Sequence, residues 1–336
     1  MNTNFTHEII EHENLGKVIY LTYKNKENPA KTIKVGIAPD FGSNLFSFMV
    51  GEDELIYTDA NALAEKHDFT GCFVLWPFPN RITDRKYTFN GKTYSLEDVE
   101  IPRGNASLVH GLVRDRKWEY EEPQLNSDSI SVKTSVVMDE KSPYFADYPF
   151  PSRLSLTFTL SSKGIKTEYT VENLGDEEMP FGFALHPAFS TLITGADKTL
   201  VSIPAIQVME ADEELLPTGR ILDVTGVMYK QFNLLEPVPV SALKLDHVFT
   251  GMDPDQSACV YYEGKNMKLK LNTSSEFTHF VIYTLEGDRF VCLENQTCAT
   301  DAPNLATQGK ENIAHLLTVM PGQAHTGFIE FEIEHV

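Results

Sequence analysis

Short stretches alternating apolar and polar residues recur along almost the whole chain. KTIKVGIAP (31–39), NLFSFMV (44–50), SISVKTSVVM (129–138), RLSLTFTLSS (153–162), IKTEYTVEN (165–173), MKLKLNT (267–273), THFVIYT (278–284) and TGFIEFEIEH (326–335) all carry it. A period of two puts successive side chains on opposite faces of a strand, so each stretch predicts a strand with one face in a core. Turn formers separate many of them, as in FNGK (89–92), SSKG (161–164) and ENLGDEE (172–178). Residues 151–172 predict a hairpin about Lys163-Gly164, and TFNGKTY a second, tighter one. Helical pattern is confined to DANALAEKHD (59–68) and LATQGKENIAHLL (305–317). Strands do not alternate with helices, which argues against a doubly wound parallel sheet. No fixed-period repeat or Pro/Ser-rich linker divides the chain. The expectation is all-β: one large antiparallel β-sandwich domain over 1–336. A hydrophobic fraction of 42% is ample for such a core, and 21 Phe and 13 Tyr suit pleated surfaces.

The charge balance narrows the partners. With 48 Asp+Glu against 28 Lys+Arg, the formal charge is −20. Such a surface repels nucleic acid and anionic membrane, which are bound chiefly by Lys and Arg at phosphates. A small neutral partner is favoured, and a phosphorylated one needs a local basic pocket. Cys72, Cys259, Cys292 and Cys298 form no CxxC pair or metal-type spacing. The first three lie in apolar stretches and read as small core residues. The N-terminal sequence has no basic region followed by an apolar core, and no run approaches the ~18 apolar residues of a membrane span. The expected compartment is the cytoplasm.

Four segments interrupt this pattern with polar chemistry. In GCFVLWPFPNRITDRKYTFNGKTY (71–94), Pro77 and Pro79 deny the chain ladder hydrogen bonds, so the loop is expected to cross a sheet edge or mouth. Arg81 then either enters a cleft as a planar donor or pairs with a local acid such as Asp84. In SLVHGLVRDRKWEY (107–120), Gly111 after His110 allows a backbone or ligand to approach closely. Arg114, Asp115, Arg116 and Lys117 read as a solvated charged turn. In MPFGFALHPAFS (179–190), His186 lies in an apolar aromatic segment, as a pocket residue for acid–base work or as a core imidazole on a carbonyl. Pro187 suggests a strand end there. In DRFVCLENQTCATDAPN (288–304), Phe290 to Leu293 predict a strand covered on both faces. A carboxylate closing it, Glu294, is costly unless paired, which makes it a candidate general base or the partner of an Arg. Asp246, in LKLDHVFTG, reads locally as a turn former.

Taken in order, these segments resemble the aldose 1-epimerase (galactose mutarotase) family. PNRI (79–82) is similar to the family's Asn-Arg-Ile signature, HG (110–111) to its first histidine site, and LHPAF (185–189) to its second. LDHVF carries an Asp in the family's place, and CLENQ followed by DAPN resembles the segment bearing the catalytic Glu. The resemblance implies a β-supersandwich with a sugar cleft and no metal or organic cofactor. It implies Glu294 as the base that takes the anomeric hydroxyl proton and His186 as the acid that protonates the ring oxygen. His110 would assist at that oxygen, Arg81 and Asp246 would bind sugar hydroxyls, and Asn80 would support the Arg81 loop. Leu112 stands where the galactose mutarotases have a second Gly. HGLVRDRKW and LWPFPNR resemble instead the divergent branches that include glucose-6-phosphate 1-epimerases. The implied substrate is thus an aldohexose, free or phosphorylated, with the phosphorylated case depending on Arg114 entering the cleft. Two other readings are open at this level. One is a carbohydrate-binding protein without catalysis, and the other a glycoside hydrolase using Glu294 and Asp246 as paired carboxylates.

Overall fold

The alternating stretches form antiparallel ladders, in a computed structural model that describes residues 4–59, 70–100, 107, 110–285 and 289–335. The predicted hairpin pairs Ser152–Ser161 with Gly164–Asn173, in register from Ser152↔Asn173 to Leu160↔Ile165. The tighter one pairs Lys86–Phe89 with Lys92–Ser95 about Asn90-Gly91, both at positive φ. The 305–317 helical pattern falls partly in helix Ala302–Thr307, which begins three residues earlier, and otherwise in helix Glu311–Ala314. Of the helix expected from 59–68, residues 60–68 lie outside the described residues.

Three large sheets carry the architecture among the described residues. Five strands between Phe5 and Glu54 form an N-terminal antiparallel sheet, and ten form a sheet centred on Gly164–Asn173 and Ala324–His335. The third has seven strands in the spatial order Pro217–Asp223, Ala205–Ala211, Asp246–Met252, His279–Tyr283, Phe290–Gln296, Ala184–Ser190 and Cys72–Leu75. Phe331, on the ten-stranded sheet, joins all three. Its ring lies 5.3 Å edge-on from Phe189 of the seven-stranded sheet and 6.5 Å from Phe48 of the N-terminal one. A contiguous apolar cluster runs from Phe5 to Ile333 through this junction. This is the expected all-β, sandwich-type arrangement.

The seven-stranded sheet positions the site by alternation. Leu185, Phe189, Ile282, Val291 and Leu293 face the cluster. The intervening residues, among them His186, Val281 and Glu294, face the other way. Phe290–Gln296 is buried throughout, as a strand covered on both faces requires. The inward face meets the main core, and Phe290 and Cys292 pack with Ala188 under Tyr57 and Tyr283.

Candidate active site

One row of residues crosses the sheet on its outward face. Val248 pairs with Val281, Val281 with Glu294, and His186 with Phe73. The register Ala184↔Gln296 and Ala188↔Cys292 sets His186 opposite Glu294. His186 Nε2 and Glu294 Oε1 are 3.2 Å apart, and both side chains are 4% exposed. The pair is therefore cut off from bulk water, and its charge state is decided by burial. Burial pushes the Glu294 carboxyl up to about 7, against the opposing effects of His110 and of a hydrogen bond from Gln296. It also holds the His186 imidazole well below the ordinary histidine value, helped by His110 and the Arg114 guanidinium. Both shifts disfavour separated charges, so burial favours the protonated carboxyl and the neutral imidazole over the ion pair.

The cleft over this row brings together all six residues singled out by the resemblance: Asn80, Arg81, His110, His186, Asp246 and Glu294. His110 sits at φ 69 before Gly111, with its ring 4.8 Å edge-on from that of His186. Burial lowers its imidazole to about 4. The close approach Gly111 allows is a backbone one. A Cβ there would lie 2.3 Å from Trp76 O, which accepts a hydrogen bond from the Leu112 N–H at 2.8 Å. The Arg81 guanidinium acts on both His110 and Asp246, opposing the burial that raises the Asp246 carboxyl. The carbonyls of Leu96, Glu97 and Val99 accept from Arg85 Nη2.

The segment after the strand anchors the Arg81 loop. Asp301 N–H donates to Arg81 O at 2.9 Å, and Asp301 Oδ1 and Oδ2 accept from Thr83 N and Thr83 Oγ1 at 3.1 and 2.7 Å. Asn304 Nδ2 donates to Lys86 O and to Asp301 Oδ1 at 2.8 and 2.7 Å. The Cys72–Leu75 strand is the sheet edge, and the Pro77 to Pro79 loop leaves from it as its prolines predict.

Several local readings need correction. His186 and Glu294 lie inside their strands rather than at a strand end or mouth. Pro187 is accommodated because the ladder to Phe290–Gln296 is interrupted between Ala184 and Ala188, where an N–H is not needed. Asp246 opens a strand and lines the cleft; it is not a turn residue. Nor is 114–117 simply a solvated turn. The Arg114 guanidinium lies 5.9 Å over the Phe73 ring, largely buried. Arg116 Nη2 donates to Val137 O and Ser142 Oγ at 3.1 and 3.3 Å. Lys117 alone behaves as expected, exposed and paired with Asp40. Neither Arg114 nor Arg116 lines the cleft.

Other cleft residues carried no sequence signal. Met209, Glu210 and Leu215 come from an ordinary-looking strand and turn, and Tyr283 from a strand alternation like the others. Only the pairing of distant strands into one sheet brings them to the same cleft as Glu294. Among the described residues there is no cluster of His, Cys, Asp and Glu that could hold a metal ion. No described helix is long and apolar enough to cross a membrane.

Known proteins share this fold. A galactose mutarotase-like protein from Clostridium acetobutylicum superposes over the full length of both chains with a TM-score of 0.85 at 23% identity. The galactose 1-epimerase of Lactobacillus acidophilus superposes with a TM-score of 0.75 at 16% identity, over 98% of this chain and 99% of that one. In sequence, the uncharacterized protein YihR of Escherichia coli is 29% identical over 52% of this chain and 53% of its own length. The galactose mutarotase of Sus scrofa is 26% identical over 59% of this chain and 54% of its own. The chain thus matches about half the length of these two curated relatives. The aldose 1-epimerase family model matches residues 31–332, and the chain belongs to that family.

Proposed function

We propose that the protein is an aldose mutarotase that interconverts the α and β anomers of an uncharged aldohexose. The observation that carries this reading is the buried contact between His186 Nε2 and Glu294 Oε1 on the cleft floor. The two oxygens that exchange protons in ring opening, the anomeric hydroxyl and the ring oxygen, are bonded to one carbon. An acid and a base must therefore act side by side, as this pair is placed to do.

The proton count follows from the pair. In its ionised arrangement Glu294 takes the proton of the anomeric hydroxyl while the His186 imidazolium protonates the ring oxygen. The C1–O5 bond breaks and C1 becomes an aldehyde. The pair is left as carboxylic acid and neutral imidazole, still holding one proton between them. Rotation about C1–C2 presents the other face. Closure then returns the acid proton to the C1 oxygen while His186 takes the C5 hydroxyl proton. Each group serves as acid and as base, which suits values drawn towards neutrality. His110 assists at the ring oxygen, Arg81 and Asp246 bind hydroxyls, and Asn80 supports the Arg81 loop.

The choice of a neutral sugar rests on charge. Among its described residues the cleft holds one guanidinium, Arg81, against the carboxylates of Glu210 and Asp246, while the His186–Glu294 pair carries no net charge as long as it holds its proton. A phosphate dianion would meet repulsion there; Arg114 lies over the Phe73 ring, Arg116 donates to Val137 O and Ser142 Oγ, and neither lines the cleft. The test follows optical rotation of fresh α-D-glucose, α-D-galactose and α-D-glucose 6-phosphate. We expect acceleration of at least one free hexose and a kcat/KM at least about tenfold lower for the phosphate. No acceleration of any aldose would refute the reading, and calorimetric sugar binding without acceleration would make the protein a binding module.

The shared proton also fixes a pH profile. Activity needs one proton on the pair, and Glu294 gives it up above about pH 7. A second proton is taken only well below the ordinary histidine value, because burial disfavours imidazolium. We expect kcat/KM to hold a plateau in mildly acid solution and to fall up to tenfold per pH unit above about 7. Polarimetric rates from pH 5 to 9, corrected for buffer catalysis, check this; a rate still rising beyond pH 8 would contradict it.

A further inference from the structure

The mechanism leaves one buried polar contact of Glu294 unused. Gln296 is fully buried, two residues on and so on the same sheet face. Its Nε2 donates to Glu294 Oε2 at 3.0 Å. Its Oε1 accepts from Asn80 Nδ2 at 3.5 Å, and Asn80 Oδ1 accepts from the Arg81 backbone N–H at 2.8 Å.

The direction of this chain is forced from its start. A backbone N–H only donates, so Asn80 must turn its oxygen towards Arg81 and its amino group towards Gln296. Gln296 must then present its oxygen to Asn80 and its amino group to Glu294. An N–H therefore always faces Glu294 Oε2, where a proton on that oxygen would meet another donor. The remaining oxygen, Oε1, is the one 3.2 Å from His186 Nε2.

We propose that Gln296 is a positioning residue. Through the Arg81–Asn80–Gln296 relay it reserves Glu294 Oε2 for hydrogen bonding and confines the exchangeable proton to Oε1, beside His186. The proposal rests on the mutarotase reading only in making Oε1 the reacting atom. The relay also links the loop that holds Arg81 to the carboxylate, so the sugar-binding and proton-transfer groups are set in one frame.

Its signature is electrostatic, which a packing role would not reproduce. Gln296→Met removes the donor at nearly constant volume. Losing a hydrogen bond to the charged form should raise the titration midpoint of the Glu294 carboxyl by about one pH unit or more. Asn80→Ala frees the Gln296 amide to turn over and should raise it less. Because Asn80 acts through Gln296, the double variant should titrate like Gln296→Met alone. Carbon-13 NMR of labelled glutamate carboxyls reads these midpoints without any turnover, and thermal unfolding checks the fold of each variant. Polarimetry should show kcat falling about 10²-fold in Gln296→Met with KM little changed, the cost of a misaimed reacting atom. A Glu294 midpoint unmoved in Gln296→Met would overturn the proposal, as would additive shifts in the double variant. Asn80 is half-buried, so its substitution tests the relay even if Gln296→Met fails to fold. Shifted midpoints in a protein that mutarotates no aldose would sink the functional reading and leave the positioning role standing.

Discussion

Glu294→Gln is expected to lower the mutarotation kcat/KM by about 10²–10⁴-fold, the range for a positioned acid–base group, while making the protein more stable above neutral pH. The two effects have one cause. Burial raises the Glu294 carboxyl from an ordinary glutamate value to about 7 in the folded chain. An acid whose folded value is raised has its ionised form penalised by folding. The penalty is absent below the unfolded value near 4, grows between about pH 4 and 7, and is complete above 7. Its full size is on the order of 3 kcal/mol, from a shift of about two and a half pH units. Glutamine has no charge to bury and can still accept from Gln296 with its carbonyl oxygen. Its Tm should therefore exceed that of the wild type at pH 8 and match it near pH 4. Polarimetry and thermal melts at both pH values check the pair of effects. Retained activity would remove Glu294 from the role of base; a pH-independent difference in Tm would remove the buried charge as the cause.

The gain in stability bears on why the carboxylate is there. A fold selected for stability alone has no use for an acid in the middle of a strand covered on both faces. The same burial that costs stability brings the group close to the pH at which a proton-exchanging base works, the role proposed for it. His186 is subject to the same pressure in the opposite direction, and its place across the ladder lets one proton satisfy both. His110, Arg114 and Asp246 adjust the pair from outside it.

What was legible in the sequence follows the range of the interactions involved. Strand alternation and turn residues are local, so the hairpins about Lys163-Gly164 and Asn90-Gly91 stand where FNGK and SSKG predict. The six candidate site residues could be named because short motifs in family order carry them, not because their neighbourhoods explain them. Local reading made Asp246 a turn former and put His186 and Glu294 at strand ends. Each error has one source, since the partner strand that places the residue lies far along the chain. Val281, Glu294, His186 and Phe73 form one row only after strands distant in sequence have paired. Arg114 misled for a related reason. A run of four charged residues resembles a solvated turn until Phe73, some forty residues earlier, supplies a ring for the guanidinium. Nothing local singles out Gln296, because the role proposed for it depends on Asn80, which no periodicity connects to it.

Gly111→Ala should be severely damaging for a change of one methyl group. An alanine Cβ would stand 2.3 Å from Trp76 O and 2.7 Å from Trp76 C and N, all backbone atoms that cannot rotate away. The backbone is also at φ 70, directly after His110 at φ 69. Left-handed backbone alone costs alanine about 1–2 kcal/mol. Gly91 offers the control: it lies at φ 75 in a hairpin turn, with nothing within 4 Å of its Cβ position. Gly91→Ala should therefore lose only the backbone part and keep full activity. Gly111→Ala carries that part as well, and must in addition push the 110–112 segment off Trp76, breaking the Leu112 N–H bond to Trp76 O. His110 moves with that segment, and a displacement of about 1 Å at a positioned group costs about 10²-fold in rate. The expected result is a clearly larger fall in Tm for Gly111→Ala than for Gly91→Ala, with kcat reduced in the first alone. Equal losses of stability would mean that the Trp76 backbone yields. Unchanged kcat alongside a large fall in Tm would mean that His110 is held by the cleft rather than by Gly111.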